Sequence, residues 1–295
     1  MREAPAPVEG IRLSGIGDEA GSTLLEQIRA LELVGWHTIE LRTVDGIPLA
    51  DLSDRHFERV AEALSDARMS TVCLDSRIAN WGRPITGDLE ADLTELRTLA
   101  RRCGQVGTRY VRIMSYPNDG LDDADWRDEA LRRLRILAAE AEQSGLVLLH
   151  ENCAGWAGRD GSRMLQMLET VGGPALRLLF DMGNGVEYEY DGYELLRQIV
   201  DHVAHVHVKD ARGPASAAVY TLPGDGECRV ADCLRLLVAR GYSGVWSVEP
   251  HLRVRPHEGL AGAGHERLGP FVTYARRLEE LIRNEVARPV GGAPR

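Results

Sequence analysis

The sequence predicts a single-domain α/β protein of the (β/α)8 TIM barrel class, on three observations. Eight short apolar runs, rich in β-branched residues, are spread along the chain. Each is followed by a segment with apolar residues at helical spacing, and such alternation implies parallel strands joined by helical crossovers. The length of 295 residues suits one barrel of roughly 250 residues with short additions. The expected division is a flexible tail over 1–10, the barrel over 11–285 and a second flexible tail over 286–295, which is rich in Pro and Gly.

In order, the strand runs are Ile11–Ile16, His37–Leu41, Thr71–Leu74, Tyr110–Met114, Leu146–His150, Leu176–Phe180, Val203–Val208 and Val245–Val248. Among the helical stripes are Leu24, Leu25, Ile28, Leu31 and Val34, then Leu131, Leu134, Ile136 and Leu137, then Leu234, Leu237 and Val238. An open doubly wound sheet would carry a Gly-rich phosphate loop after its first strand. Gly15-Ile16-Gly17-Asp18 is too short a match. Two long loops, Arg212–Cys228 and His251–Gly264, follow the last two strands and fall on the face where a barrel keeps its chemistry.

Composition narrows the function. The chain carries 35 basic against 45 acidic residues, a net charge of −10, which argues against nucleic acid and anionic membranes as partners. No apolar run reaches the roughly 18 residues that cross a bilayer, and Met1–Glu9 has no apolar signal core. Five cysteines without a CxxC pair read as reduced thiols of a cytoplasmic protein. Of the 35 basic residues, 34 are Arg, so the lone lysine, Lys209, invites a chemical explanation.

Chemistry in a barrel sits at the C-terminal strand ends. Strand five ends His150-Glu151-Asn152, strand six Phe180-Asp181-Met182-Gly183-Asn184, strand seven His205-Val206-His207-Val208-Lys209, and strand eight Val248-Glu249-Pro250-His251. Alternation puts Val206 and Val208 against the helices, so His205, His207 and Lys209 point inward. The same parity turns Glu151, Asp181 and Glu249 inward and Phe180 and Val248 outward. Three inward carboxylates would repel one another without a cation. Glu151, Asp181, His207 and Glu249 therefore predict a site for one divalent ion. Their hard donors favour Mn2+, with Mg2+, Co2+ and Zn2+ open.

These residues resemble the sugar phosphate isomerase/epimerase superfamily, the xylose-isomerase-like TIM barrels, from about Ile11 to about Ile282. In that family, strands five to eight supply Glu, Asp, His and Glu to one metal, matching Glu151, Asp181, His207 and Glu249. Gly224-Asp225-Gly226-Glu227 and Gly241-Tyr242-Ser243-Gly244 resemble the family's turns before helix seven and strand eight. Gly17-Asp18-Glu19 and Ile39-Glu40-Leu41-Arg42 look like one bacterial subgroup. Ketose 3-epimerases of the family carry a further Glu where this chain has Ala157, and a His where it has Asn184. Both differences speak against a free ketohexose. Lys209-Asp210 instead resembles the inosose dehydratase-like branch.

A divalent ion can hold a carbonyl and its neighbouring hydroxyl and stabilise the enediolate left when the α-proton departs. Glu151 and Glu249, from strands separated by two others, can flank the substrate and act as acid and base. Returning the proton to the opposite face gives epimerisation, and returning it to the adjacent carbon gives isomerisation. Loss of a β-hydroxyl gives dehydration. The leading expectation is a metal-dependent isomerase or epimerase of a small polyhydroxylated carbonyl compound, a sugar, sugar phosphate or cyclitol. The alternatives are a dehydratase of the inosose or dehydroshikimate type and a non-catalytic sugar-binding protein. Lys209 is the third expected catalytic residue, placed to meet a substrate oxygen. Asn184, Asn152, Trp156, His251 and Arg212 are the expected substrate contacts, with Trp81, Arg77 and Glu19 behind them. His205 should hydrogen-bond beneath the ligands, and His150 should face outward. A homo-oligomer joined through helical faces is expected by analogy.

Overall fold

The structure, a computed structural model, describes residues 11–256, 259–260 and 264–286. The two expected tails lie outside these residues, except Val286, which ends a π-helical turn over Ile282–Val286.

Eight parallel strands form the sheet: β1 (Arg12–Gly15), β2 (Thr38–Leu41), β3 (Ser70–Asp75), β4 (Tyr110–Ser115), β5 (Val147–Gly155), β6 (Leu176–Asp181), β7 (Val203–Val208) and β8 (Val245–Val248). Their order is β1-β8-β7-β6-β5-β4-β3-β2. The ring closes between β1 and β2 through one parallel bridge, Ile16 with Glu40, and through the Thr38 hydroxyl, which donates to the Leu13 carbonyl. The helices are α1 (Leu24–Val34), α2 (Asp54–Asp66), α3 (Leu89–Val106), α4 (Asp123–Gln143), α5 (Gly161–Val171), α6 (Asn184–Tyr188), α7 (Gly192–Ile199), α8 (Val230–Ala239) and α9 (Gly264–Leu281). None among the described residues is long and apolar enough to cross a membrane.

Local chemistry sets the boundaries. Thr23 and Glu26 cap α1 reciprocally, and Gly35 ends it in the left-handed region at φ 76°. Asp122 and Asp160 accept backbone N–H bonds at the starts of α4 and α5. Residues Ile28, Leu31 and Val34 are buried as expected, but Leu25 is 72% exposed, Val238 44% and Ile136 36%. Each sits one residue from a buried partner, about 100° around the helix, and so falls off the apolar stripe.

The core has two layers. The larger lies between sheet and helices and takes Val111, Ile113, Leu148, Phe180, Val206, Val208 and Val248 from the strands' outer face. A smaller cluster, Cys73, Leu149 and Leu179, belongs to the inward parity of β3, β5 and β6. Glu151 and Asp181 follow Leu149 and Leu179 at the next inward step. β5 is longer than its apolar run predicts and carries Glu151 and Asn152 inside the strand. The expected loop after β7 contains a small hairpin, Asp210–Arg212 with Val219–Thr221. The Asp210 carboxylate accepts backbone N–H bonds from Gly224 (2.8 Å), Gly226 (3.1 Å) and Cys228 (3.2 Å). Gly226 is needed there, since a Cβ would stand 2.2 Å from Asp210 Oδ1. All five cysteines are buried free thiols.

Candidate metal and substrate site

Register brings the rim residues together. Asp181 pairs with His207 across β6 and β7, and His207 with Ser247 across β7 and β8, so Glu249 follows one inward step later. The ligand atoms of Glu151, Asp181, His207 and Glu249 all lie within 4.8 Å of one another, and all four residues are buried. His207 Nδ1 stands 3.6 Å from Glu151 Oε1, 3.7 Å from Glu249 Oε2 and 3.8 Å from Asp181 Oδ2. These gaps are too long for hydrogen bonds, and Nδ1 has no hydrogen-bond partner among the described residues. A buried imidazole nitrogen aimed at three carboxylate oxygens fits a divalent cation.

The charges around these groups are opposed in detail. Burial pushes Asp181 up to about 6; the Lys209 ammonium pulls it down, while Glu249 and Glu151 push it further up. Burial also raises Glu151, but the Arg112 guanidinium and His207 outweigh it and hold the carboxyl below its usual range. Glu249 is likewise held well down against burial, by Lys209, His251 and Arg42. Lys209 Nζ donates to Glu249 Oε2 at 2.8 Å and lies 3.0 Å from Asp181 Oδ2. Burial favours its neutral amine, yet these two carboxylates win and keep it an ammonium.

Beneath the cluster, Glu40 of β2 joins two histidines. Its Oε1 is 3.0 Å from His207 Nε2 and its Oε2 is 2.7 Å from His205 Nε2. A carboxylate on Nε2 fixes the ring and leaves Nδ1 facing the acids. Glu40→Gln is expected to weaken Mn2+ binding about 10–100-fold. Competition against a chromophoric chelator would measure it, and an unchanged affinity would confine Glu40 to packing.

Two arginines brace the acids from the other strands. Arg42 donates to Glu249 Oε1 at 2.6 Å, to Asp18 Oδ1 at 2.8 Å and to Glu19 Oε1 at 3.1 Å. Arg112, on the inward face of β4, donates to Glu151 Oε2 at 2.9 Å. Glu40, Arg42, Arg112 and Asp75 were absent from the expected site. The signal for Arg112 is strand alternation, since it stands between outward Val111 and Ile113.

A cavity of about 540 Å³ opens above the cluster, with Glu151, Asn184, Lys209, Glu249 and His251 on its wall and half-exposed Trp81 at its edge. Asn184 Nδ2 reaches Glu151 Oε1 at 3.2 Å. His251 Nε2 lies 3.0 Å from Glu19 Oε1 and 3.2 Å from Glu249 Oε1. Burial lowers its pKa, Glu19 raises it and Lys209 lowers it, and it rests at about 9.

Three of the expected substrate contacts, Asn152, Trp156 and Arg212, do not line the main cavity. Asn152 faces away from Glu151, as the next residue of a strand must. Its amide donates to the Asp181 carbonyl and Tyr190 hydroxyl, both at 2.8 Å, and accepts from Asp181 N at 2.6 Å, tying β5 to β6. Trp156 is buried beneath the Arg163 guanidinium and lines a different surface cleft. Arg212 is exposed on the small hairpin. Arg77 pairs with Asp51 at 2.7 Å outside the main cavity. His150 is buried in the sheet, and burial lowers it to about 4.

Gly183 makes room for Lys209. A Cβ there would stand 2.5 Å from Lys209 Cγ and 2.8 Å from its Cβ. Gly183→Ala is therefore expected to destabilise the fold by about 1–3 kcal/mol through overpacking. An unchanged urea midpoint would mean that the lysine stem can move aside.

Parallel strands closed in a ring, with three acids and a histidine meeting at the C-terminal rim, define the class of barrel. The chain belongs to the xylose isomerase-like TIM barrel family, which matches residues 28–270. It is similar to the inosose dehydratase of Clostridium perfringens, 26% identical over 144 residues that make up 44% of this chain and 48% of that one. It is also similar to the 2-epi-5-epi-valiolone 7-phosphate 2-epimerase of Actinoplanes sp., 32% identical over 143 residues, 48% of this chain and 50% of the other. The chain thus spans about half the length of these curated relatives. Among solved structures, the IOLI protein with a bound zinc atom superposes with a TM-score of 0.75 at 18% identity, covering 93% of this chain and 99% of that one. At that identity the likeness shows the fold.

Proposed function

We propose that this protein is a divalent-metal-dependent enzyme that removes the proton next to a carbonyl in a small polyhydroxylated compound and then expels a β-hydroxyl as water. The reading moves from the expected isomerase or epimerase to the dehydratase alternative. The observation that carries it is the Lys209 ammonium on the cavity wall, 2.8 Å from Glu249 and 3.0 Å from Asp181, beside the metal-ligand set. The inosose dehydratase relatives support the same choice.

Glu151, Asp181, His207 and Glu249 would hold the ion, which supplies Lewis acidity to the substrate carbonyl and offsets the charge of its enediolate. Mn2+ fits the donor set first, with Mg2+, Co2+ and Zn2+ as further candidates. Glu151 accepts the α-proton as the C–H electron pair moves toward the carbonyl. The C–O bond to the β-hydroxyl then breaks, its pair stays with the leaving oxygen, and Lys209 Nζ gives that oxygen a proton, releasing water. Arg112 and Arg42 orient Glu151 and Glu249 throughout. A second reading, epimerisation, is favoured by the two carboxylates reaching one point from β5 and β8, and by the epimerase relative. There, one glutamate removes the proton and the other returns it to the opposite face.

Incubating the Mn2+-loaded protein with inosose in D2O, followed by NMR, separates these outcomes. Loss of water supports the first reading, and a deuterated epimer supports the second. Unchanged inosose with no deuterium uptake would remove inosose as the substrate. The same result across a panel of hydroxyketones and ketose phosphates would remove both reactions.

A further inference from the structure

Beside the main cavity lies a smaller one of about 130 Å³, and Trp81 and Arg112 belong to the walls of both. Asp75, the last residue of β3, lines it. Asp75 is 5% exposed, and neither of its carboxyl oxygens has a hydrogen-bond partner among the described residues. Arg112 Nε stands 3.7 Å from Asp75 Oδ1, too far for a hydrogen bond, and is itself unpartnered among them. A buried carboxyl without a hydrogen bond costs about 1–3 kcal/mol, so native proteins rarely keep one without a use.

We infer that this smaller cavity is a subsite for a hydroxyl-bearing end of the substrate, with Asp75 as the residue that selects a neutral hydroxyl over an anion. The inference rests on the proposed action on a polyhydroxylated carbonyl compound, and it adds where the remote end lies and what charge that end carries. One hydroxyl can donate to Asp75 and accept from Arg112 Nε at once, which fills both unmet needs across the 3.7 Å gap. An anion meets a different balance. Three guanidiniums line the cavity, but each is already matched: Arg42 by Glu249 at 2.6 Å, Arg112 by Glu151 at 2.9 Å and Arg77 by Asp51 at 2.7 Å. Among the described residues Asp75 itself has only the long 3.7 Å ion pair to Arg112 and no hydrogen bond, so a phosphate or carboxylate would meet an acid and no spare cation. Burial, with the Glu40 carboxylate behind it, raises Asp75 well above the usual carboxylate range, and a protonated carboxyl also exchanges hydrogen bonds with a hydroxyl. The volume of about 130 Å³ leaves ample room for a CHOH or CH2OH group, since a water-sized group takes about 30 Å³.

Crystals of the full chain soaked separately in glycerol and in inorganic phosphate test the subsite without reference to turnover. A glycerol oxygen within hydrogen-bond reach of Asp75 and Arg112 Nε is expected, absent from Asp75→Ala, with no phosphate in this cavity. Phosphate bound there overturns the inference, as does glycerol that avoids the cavity or binds equally in both proteins. With inosose, Asp75→Ala is expected to raise KM about tenfold, with kcat within about twofold and metal content unchanged. Asp75→Asn, which keeps the shape and can still pair with a hydroxyl, should recover part of that loss. An unchanged KM in an active Asp75→Ala protein overturns the inference. If the wild-type protein leaves inosose untouched, the functional reading fails for that compound, and the soaks still decide the subsite.

Discussion

Glutamine in place of Glu151, or of Glu249, is expected to lower turnover by about a hundredfold or more, because each change removes a base and a ligand charge together. The substitution keeps the side chain's shape, so the fold should persist. At position 151 the amide oxygen can still accept from Arg112 Nη1, now 2.9 Å away, but the ion pair is gone. At position 249 the loss reaches further, since Arg42, Lys209 and His251 all draw on that carboxylate. Glu249→Gln should therefore lose more thermal stability than Glu151→Gln. In D2O, reversible removal of the α-proton should place deuterium on the carbon beside the carbonyl in recovered substrate or in an epimer, whereas the dehydrated product retains no hydrogen on that carbon. Recovered substrate without deuterium would count against an exchanging enediolate while leaving shielded proton transfer open. Turnover within about fivefold of wild type in both glutamine variants would remove these residues from the chemistry.

The barrel was legible because its strands are short, apolar and β-branched, and its parity rule needs only the outer valines of β7 to orient the histidines. The same rule accounts for the place of Asn152 off the cavity wall. Asn152 drew attention because asparagine is scarce and the residue sits at the rim, yet its neighbour Glu151 points inward, so Asn152 must point outward. Scarcity outweighed geometry in that expectation. Arg112 and Arg42 were hidden for the opposite reason: among 34 arginines no single one stands out, and pairing with Glu151 or Glu249 is a long-range fact of strand order. Glu40 sits between Ile39 and Leu41 in a run that reads as an ordinary buried strand. Its link to His207 spans 167 positions and depends on the barrel interior. Trp156 looked like a rim aromatic because the apolar run of β5 stops at His150, whereas the strand continues to Gly155.

Lys209→Arg is expected to keep the fold and the metal content and to lose about a hundredfold in turnover. The reason lies in what arginine can and cannot replace. Lys209 is 3% exposed, with its ammonium against Glu249 and Asp181 and its stem against the bare backbone of Gly183. A guanidinium can supply the positive charge those two acids require, and it often pairs with carboxylates better than an ammonium does. It stays charged at any working pH, so it cannot pass a proton to a departing hydroxyl. It is also planar and broader than an ammonium. If Lys209 served only as an ion pair, arginine should be tolerated with a small loss, and methionine should be the damaging change, since it would strand two buried acids. If Lys209 moves a proton, arginine and methionine should both abolish most turnover, while only methionine greatly lowers stability. The pair of variants therefore separates the two roles by melting temperature and turnover measured together, with metal content as the control. Near-normal turnover in Lys209→Arg, at unchanged metal content, would leave Lys209 as a structural counter-ion and move the proton donor for the leaving hydroxyl to another group on the cavity wall, with His251 the first to test.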